Sequence, residues 1–281
     1  MTNFTYYAKH IHKPTRYPEV LFGIAKGPIE LLESTNLPYY FGSPEKSPEA
    51  LGMRRIDVGI FTHPDRPGRI YTFHGDTMKE HVNINAAHDE VFKHRQLHQD
   101  EIENLALDLM QHYHNTKYSP FHKTAIAQYT DAWSPYNKKI INKEELSDDM
   151  IRNIGHLDTA MNVTKLHEPL TVYSGTDPAH ANLLRNNPIV HHPSFLSSSL
   201  SMSKARGFAD QGSHGTGDVV AIHLPKGFSG VYTGDMSSIP SEKEFILPRH
   251  TNLIIDPHKK DVVYSMDSKR KFIVHHAYPK V

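Results

Sequence analysis

The spacing of apolar positions divides this chain into stretches of different texture. Up to about residue 50, short apolar pieces alternate with scattered prolines (Pro14, Pro18, Pro28, Pro38, Pro44, Pro48), which predicts loop with one short helix near 29–34. Segments 55–62 and 69–73 then read as strands. Their link, Pro64-Asp65-Arg66-Pro67-Gly68, joins residues that fix φ to one that permits φ > 0, so a β-hairpin is expected. Over 87–114 the pattern turns helical, with Val91, Leu97, Ile102, Leu105 and Leu109 recurring among charges. Residues 117–120 break it, and 121–165 reads as two or three helices, Asp148 and Asp149 suiting a helix start by complementing its dipole.

Beyond residue 170 strand-like runs take over, at 170–173, 195–200, 219–224, 244–247, 252–255, 262–266 and 272–277, with helical pieces at 179–185 and 204–209. Helices first and strands afterwards predict an α+β domain with a mostly antiparallel sheet. Near the C-terminus Glu242 and Glu244 open a run through Phe245, Ile246 and Leu247 to Pro248. On a strand, alternation would project both carboxylates from one face. Two like charges so placed gain nothing for a fold unless water or a cationic ligand meets them.

Composition removes several alternatives. Lys+Arg and Asp+Glu both number 31, so no basic field marks a nucleic-acid coat or a membrane-surface protein. Cysteine is absent, which excludes disulfides, thiolate zinc sites and cysteine nucleophiles and fits a reducing compartment without demanding one. No apolar run reaches the ~18 residues of a membrane span. The first twelve residues lack the apolar stretch of a signal peptide. Histidine is abundant, and His94 and His98 have helical i,i+4 spacing. With no third ligand at a recognisable spacing they read as a solvated face and no metal is expected; a zinc protein built on the histidines stands as a rival reading.

Three segments carry candidate chemistry: Tyr173-Ser174-Gly175-Thr176 at a strand end, Phe195-Leu196-Ser197-Ser198-Ser199-Leu200 ahead of a helical piece, and Glu242-Lys243-Glu244. Singly, a serine run is a strand edge and a Glu-x-Glu a solvated face. In this order they resemble the mono-ADP-ribosyltransferases of the Arg-Ser-Glu group, which includes catalytic components of clostridial binary toxins and enzymes that tailed phages inject into bacteria. Those proteins carry Tyr-Arg-Gly, then Phe-x-Ser-Thr-Ser, then Glu-x-Glu before an apolar strand and a proline. Tyr129-Thr130, Ile141-Asn142 and Leu157-Asp158 look like their helical lead-in. The resemblance covers about 120–281. It implies an ADP-ribosyltransferase-like split β-sandwich with a helical lead-in over 116–281, preceded by a small α+β accessory region over 1–115.

The resemblance further implies NAD as co-substrate, no metal, and transfer of ADP-ribose to an arginine with release of nicotinamide. Glu244 matches the family's essential glutamate, beside the developing ribosyl cation. Glu242 matches the glutamate that orients the acceptor. Ser197 matches the serine that orients Glu244, while Ser198 and Ser199 are expected to satisfy strand ends. Tyr129, Ser174, Gly175, Ser197 and Phe208 fall at NAD-binding positions, Phe208 against the nicotinamide and Gly175 where the dinucleotide approaches the backbone. Tyr232 opens an expected exposed loop over 232–240 that would touch the target, and the glycine-bearing stretch 210–218 would close over NAD. The implied partner is a target protein with an acceptor arginine, host RNA polymerase or translation machinery for a phage-borne member. Direct nucleic-acid binding and a membrane are not expected. The expected state is a monomer in the cytoplasm of the host or target cell. One position departs: Ser174 stands where the family has an arginine that braces the NAD phosphates, and serine offers no charged bidentate fork. Arg185, Lys204 and Arg206 are the candidate substitutes by position. A catalytically silent binding module of the same fold is the alternative that Ser174 motivates.

Overall fold

A computed structural model describes residues 41–48, 50–57, 59–74, 76–114, 118–209, 216–264 and 271–280. The expected helix at 29–34 and most of the stretch expected to close over NAD lie outside them, as do the side chains of His94 and His98.

After the two-residue β1 (Phe41–Gly42), strands β2 (Arg54–Asp57), β3 (Ile60–His63), β4 (Arg66–His74) and β5 (Thr77–His81) form an antiparallel sheet in that order. The hairpin expected from the Pro-Asp-Arg-Pro-Gly link is β3–β4. The fourth strand carries mostly exposed, polar residues, so it left no alternation to read. Phe61 and Phe73 meet edge to face at 5.4 Å and pack with Val262 of the C-terminal sheet. Helix α1 (Ile84–His114) starts against this small sheet. Its 31 residues span about 46 Å at 1.5 Å each, far enough to reach the C-terminal sheet with its last turns.

Helices α2 (Pro120–Asn142) and α3 (Asp148–Val163) lead into that sheet. Ser119 caps α2: its hydroxyl accepts from the His122 amide at 3.2 Å, and His122 Nδ1 accepts from the Ser119 amide at 3.3 Å. Pro135 lies inside α2, where it removes a donor and crowds the carbonyl four residues back. The helix kinks there, with Ala132 at φ −136, ψ 38. Helix α3 is capped by Ser147, begins with Asp148 and Asp149, and buries Ile154, Leu157, Ala160 and Met161 along one stripe.

The remaining elements are β6 (Leu170–Thr176), α4 (Pro178–Asn186), β7 (Ile189–His192), β8 (Leu196–Ser199), α5 (Met202–Ala209), β9 (Thr216–Leu224), β10 (Val231–Tyr232), β11 (Glu244–Leu247), β12 (Thr251–Tyr264) and β13 (Lys271–Pro279). The sheet runs β1-β12-β13-β9-β6-β8-β11-β10, with β7 paired to β12. The β13–β9 pairing is parallel and the others are antiparallel. The runs expected at 252–255 and 262–266 belong to one bent strand, β12, whose pairing shifts between Ile255 and Lys260. Strand β11 is buried at every position, and Tyr129, Leu157, Phe195 and Phe245 belong to the core beneath it.

Candidate active site

The sheet comes apart where β6 meets β8. These strands share one residue pair, Tyr173 with Ser199, whereas β6 and β9 pair from Leu170 to Thr176. The Ser174 hydroxyl donates to the Ser197 carbonyl at 2.9 Å, a second tie across the split. On the far side β8 pairs with β11, with Ser199 opposite Glu244 and Ser197 opposite Ile246.

A directed chain of hydrogen bonds ends on Glu244. Asn137, one turn past the kink of α2, donates from Nδ2 to the Tyr129 hydroxyl at 3.0 Å and to the Phe195 carbonyl at 3.1 Å. An amide N–H can only donate, so the Tyr129 proton is left for Ser197 Oγ, 3.2 Å away. The Ser197 proton then goes to the Glu244 carboxylate. Burial pushes the Tyr129 phenol well above its ordinary range, so it stays a donor. Burial likewise pushes Glu244 from 4.5 up to about 7; the Glu242 charge adds to the rise and the Ser197 hydrogen bond opposes it. Glu244 is 6 % exposed and sits at the split.

Glu242 reaches the same place by another route than the alternation argument supposed. Residues Pro240–Glu242 form a 3-10 turn, Lys243 takes the left-handed conformation at φ 49, ψ 50, and the strand begins only at Glu244. The Ser199 hydroxyl holds the Glu242 carbonyl at 2.6 Å, and the Leu200 amide holds that of Lys243 at 3.1 Å. The Thr233 amide and hydroxyl hold the Glu244 carbonyl at 3.0 and 3.2 Å. Burial raises the Glu242 carboxyl above its usual range, against the pull of Lys204. Of the serine triplet, Ser197 serves Glu244, while Ser198 donates to the Phe245 carbonyl at 2.5 Å and Ser199 to Glu242.

Other expected positions fall differently. A Cβ on Gly175 would lie 2.1 Å from the Ala205 carbonyl oxygen and 2.6 Å from the Ala209 amide nitrogen, so the close crossing of α5 requires a glycine here. Phe208, on the last turn of α5, is 40 % exposed and free to meet one. Tyr232 was expected on an exposed loop, yet it pairs with Phe245 and is buried, with its phenol pushed up to about 12 by burial. The exposed apolar residue of that segment is Ile239. Asp218, expected in a mobile stretch, is a buried strand residue bonded to Arg185 and His275. Arg185 is thus engaged, and Arg206 is buried over the Phe272 ring. Lys204 alone of the three candidate cations acts on the glutamate pair. A cavity of about 390 Å³ lies away from the carboxylates, behind the turn, between Met110, Tyr113, Lys123, Tyr232, Gly234 and Met236. Asn137 went unread in the sequence; its only signal was its place two turns beyond Tyr129.

Split sheet, buried glutamate, orienting serine and capped Glu-x-Glu turn define the class of the toxin-like ADP-ribosyltransferases. The family model described as ADP-ribosyltransferase exoenzyme matches residues 108–278, and the chain belongs to that family. Over 142 residues it is 28% identical to an NAD(+)–arginine ADP-ribosyltransferase, EFV, of Enterococcus faecalis; the match takes 49% of this chain and 29% of that protein. The chain therefore accounts for under a third of that curated relative's length. Among solved structures, the fold is similar to Plx2a, an ADP-ribosyltransferase toxin of Paenibacillus larvae, with TM-score 0.53 and 21% identity over 65% of this chain and 96% of that one. It is similar too to BECa, an ADP-ribosylating toxin of a binary enterotoxin of C. perfringens solved with NADH, with TM-score 0.52 and 16% identity over 62% of this chain and 48% of that one.

Proposed function

We propose that this chain is an NAD-dependent mono-ADP-ribosyltransferase that modifies an arginine of a target protein in the cytoplasm of the target's cell. The observation that carries the reading is Glu244, a buried carboxylate with a hydroxyl and a second carboxylate for neighbours and no cation of its own. The arginine relative and the NADH-bound structural neighbour lend support on acceptor and dinucleotide. The acid pair fits a ligand that is cationic at one end.

Bound NAD would supply a glycosidic bond whose cleavage leaves positive charge on the ribose and returns the bonding electrons to nicotinamide. Glu244, ionised, faces that charge and stabilises it more than the ground state, in which the positive charge lies on the nicotinamide ring. Ser197, fed by Tyr129 and Asn137, keeps the carboxylate aimed. Glu242 pairs with the acceptor guanidinium and takes its proton as the new bond to nitrogen forms, since arginine is not deprotonated beforehand. The test is incubation with labelled NAD and agmatine, a small guanidino acceptor. Wild type should label agmatine and release nicotinamide, and Glu244→Gln should do neither. No release by wild type would favour the silent binding module.

A further inference from the structure

Glu103 and Lys243 are 140 positions apart, and their side chains form an ion pair with Nζ to Oε2 at 2.6 Å. Glu103 lies on α1, five positions ahead of the family-matched region that begins at 108. Lys243 stands between the two glutamates, in a left-handed conformation that side chains with a Cβ adopt at a cost. Its side chain is only 17% exposed although it points away from the core sheet to a helix. The same helix also holds the start of the segment: Tyr113 donates to the Gly230 carbonyl at 3.1 Å and sets its ring edge to Phe245 at 6.4 Å. Between these two anchors, Tyr232, Gly234 and Met236 line the cavity of about 390 Å³ ahead of the turn. The backbone of the turn is held by the Ser199 hydroxyl on the Glu242 carbonyl and the Leu200 amide on the Lys243 carbonyl, and the Glu103–Lys243 pair adds a side-chain anchor from the helix. Glu244 is held by its strand neighbours, whereas Glu242 sits on the turn itself.

We infer that Glu103 is a positioning residue: through Lys243, the N-terminal helix sets the orientation of Glu242 and so controls acceptor use more than NAD cleavage. This rests on the transferase reading above. Breaking a half-exposed ion pair should let the turn relax by an amount worth about fivefold. In Glu103→Gln the KM for agmatine should rise about fivefold, while NAD hydrolysis without acceptor stays within about twofold of wild type. Lys243→Gln should raise the agmatine KM alike, and the double variant should be no worse than either single one, because both remove the same contact. Amide hydrogen exchange over 239–244 should speed up in Glu103→Gln without any substrate present. Equal losses of hydrolysis and transfer, additive effects in the double variant, or unchanged exchange would each overturn the inference. If wild type itself neither cleaves NAD nor modifies agmatine, the transferase reading fails first and takes this one with it.

Discussion

Glu244→Gln should abolish NAD cleavage and, at high pH, make the protein more stable. In the folded chain this carboxyl titrates near 7 instead of its ordinary 4.5, chiefly through burial. The folded state thus holds a proton that the unfolded chain gives up between those values. Because the folded value is the higher one, the stability this group contributes is complete below about pH 4.5 and is lost as pH rises through about 7. At about 1.4 kcal/mol per factor of ten, that interval corresponds to roughly 3 kcal/mol. Glutamine keeps the shape and can accept from Ser197, but never ionises. Urea unfolding of both proteins, with equal m-values, measures the difference. At about pH 8.5 the variant should be the more stable by up to roughly 3 kcal/mol, and at about pH 4 the two should agree. The same ionisation should appear in kinetics, with kcat/KM for NAD hydrolysis rising to a plateau above about pH 7. A variant no more stable than wild type at high pH would refute the claim that Glu244 is held uncompensated.

Ser197→Ala removes the hydrogen bond that holds the Glu244 titration down, so the rise in the pH–rate profile should move to higher pH; an unmoved midpoint would detach Ser197 from Glu244. Gly175→Ala drives a methyl into the Ala205 carbonyl at 2.1 Å, and urea unfolding should show a loss of at least about 2 kcal/mol, which an ordinary surface glycine would not give. His192 is buried beside His180, and burial holds it at about 3 instead of 6.5. Stability from its neutral form is therefore present above 6.5 and lost as pH falls toward 3. His192→Asn should accordingly lessen the drop in urea midpoint between pH 7.5 and pH 4 by the equivalent of a few kcal/mol.

Much of the frame was legible because it rests on local rules. The hairpin was announced by its Pro-Asp-Arg-Pro-Gly link, α3 by its acidic first turn, and β11 by the apolar run that follows Glu244. The serine and glutamate segments could be placed on strand ends, and the structure brings Ser197, Tyr129 and Glu244 together. What escaped depends on pairs distant in sequence or on single backbone angles. Lys243 at φ 49 breaks the strand alternation that was to carry Glu242. Tyr232 reads as a loop residue beside Thr233-Gly234-Asp235, and only the pairing with β11 buries it. The helix that crosses Gly175 leaves no mark in the strand's own sequence. The ion pair between Glu103 and Lys243 spans 140 positions and has no local trace.

The case for an active site over a silent one draws on a contrast with two other buried acids, Asp218 and Asp261. Asp218 is bonded to Arg185 and His275, and these partners lower its carboxyl below the usual range despite burial. Asp261 is paired with His276 at 2.7 Å. Glu244 has instead a serine hydroxyl and the like charge of Glu242, and its carboxyl is driven up to about 7. A carboxylate left so costs the fold stability that a glutamine at the same place would not. Under the proposed function, a cation that arrives with the ligand would compensate it. In the proposed reaction, a ribose that becomes positive as nicotinamide leaves would do so at Glu244, and an acceptor guanidinium at Glu242. Ser174 does not alter this balance: its hydroxyl donates to the Ser197 carbonyl, and among the described residues Lys204 supplies the only cationic pull on the acid pair.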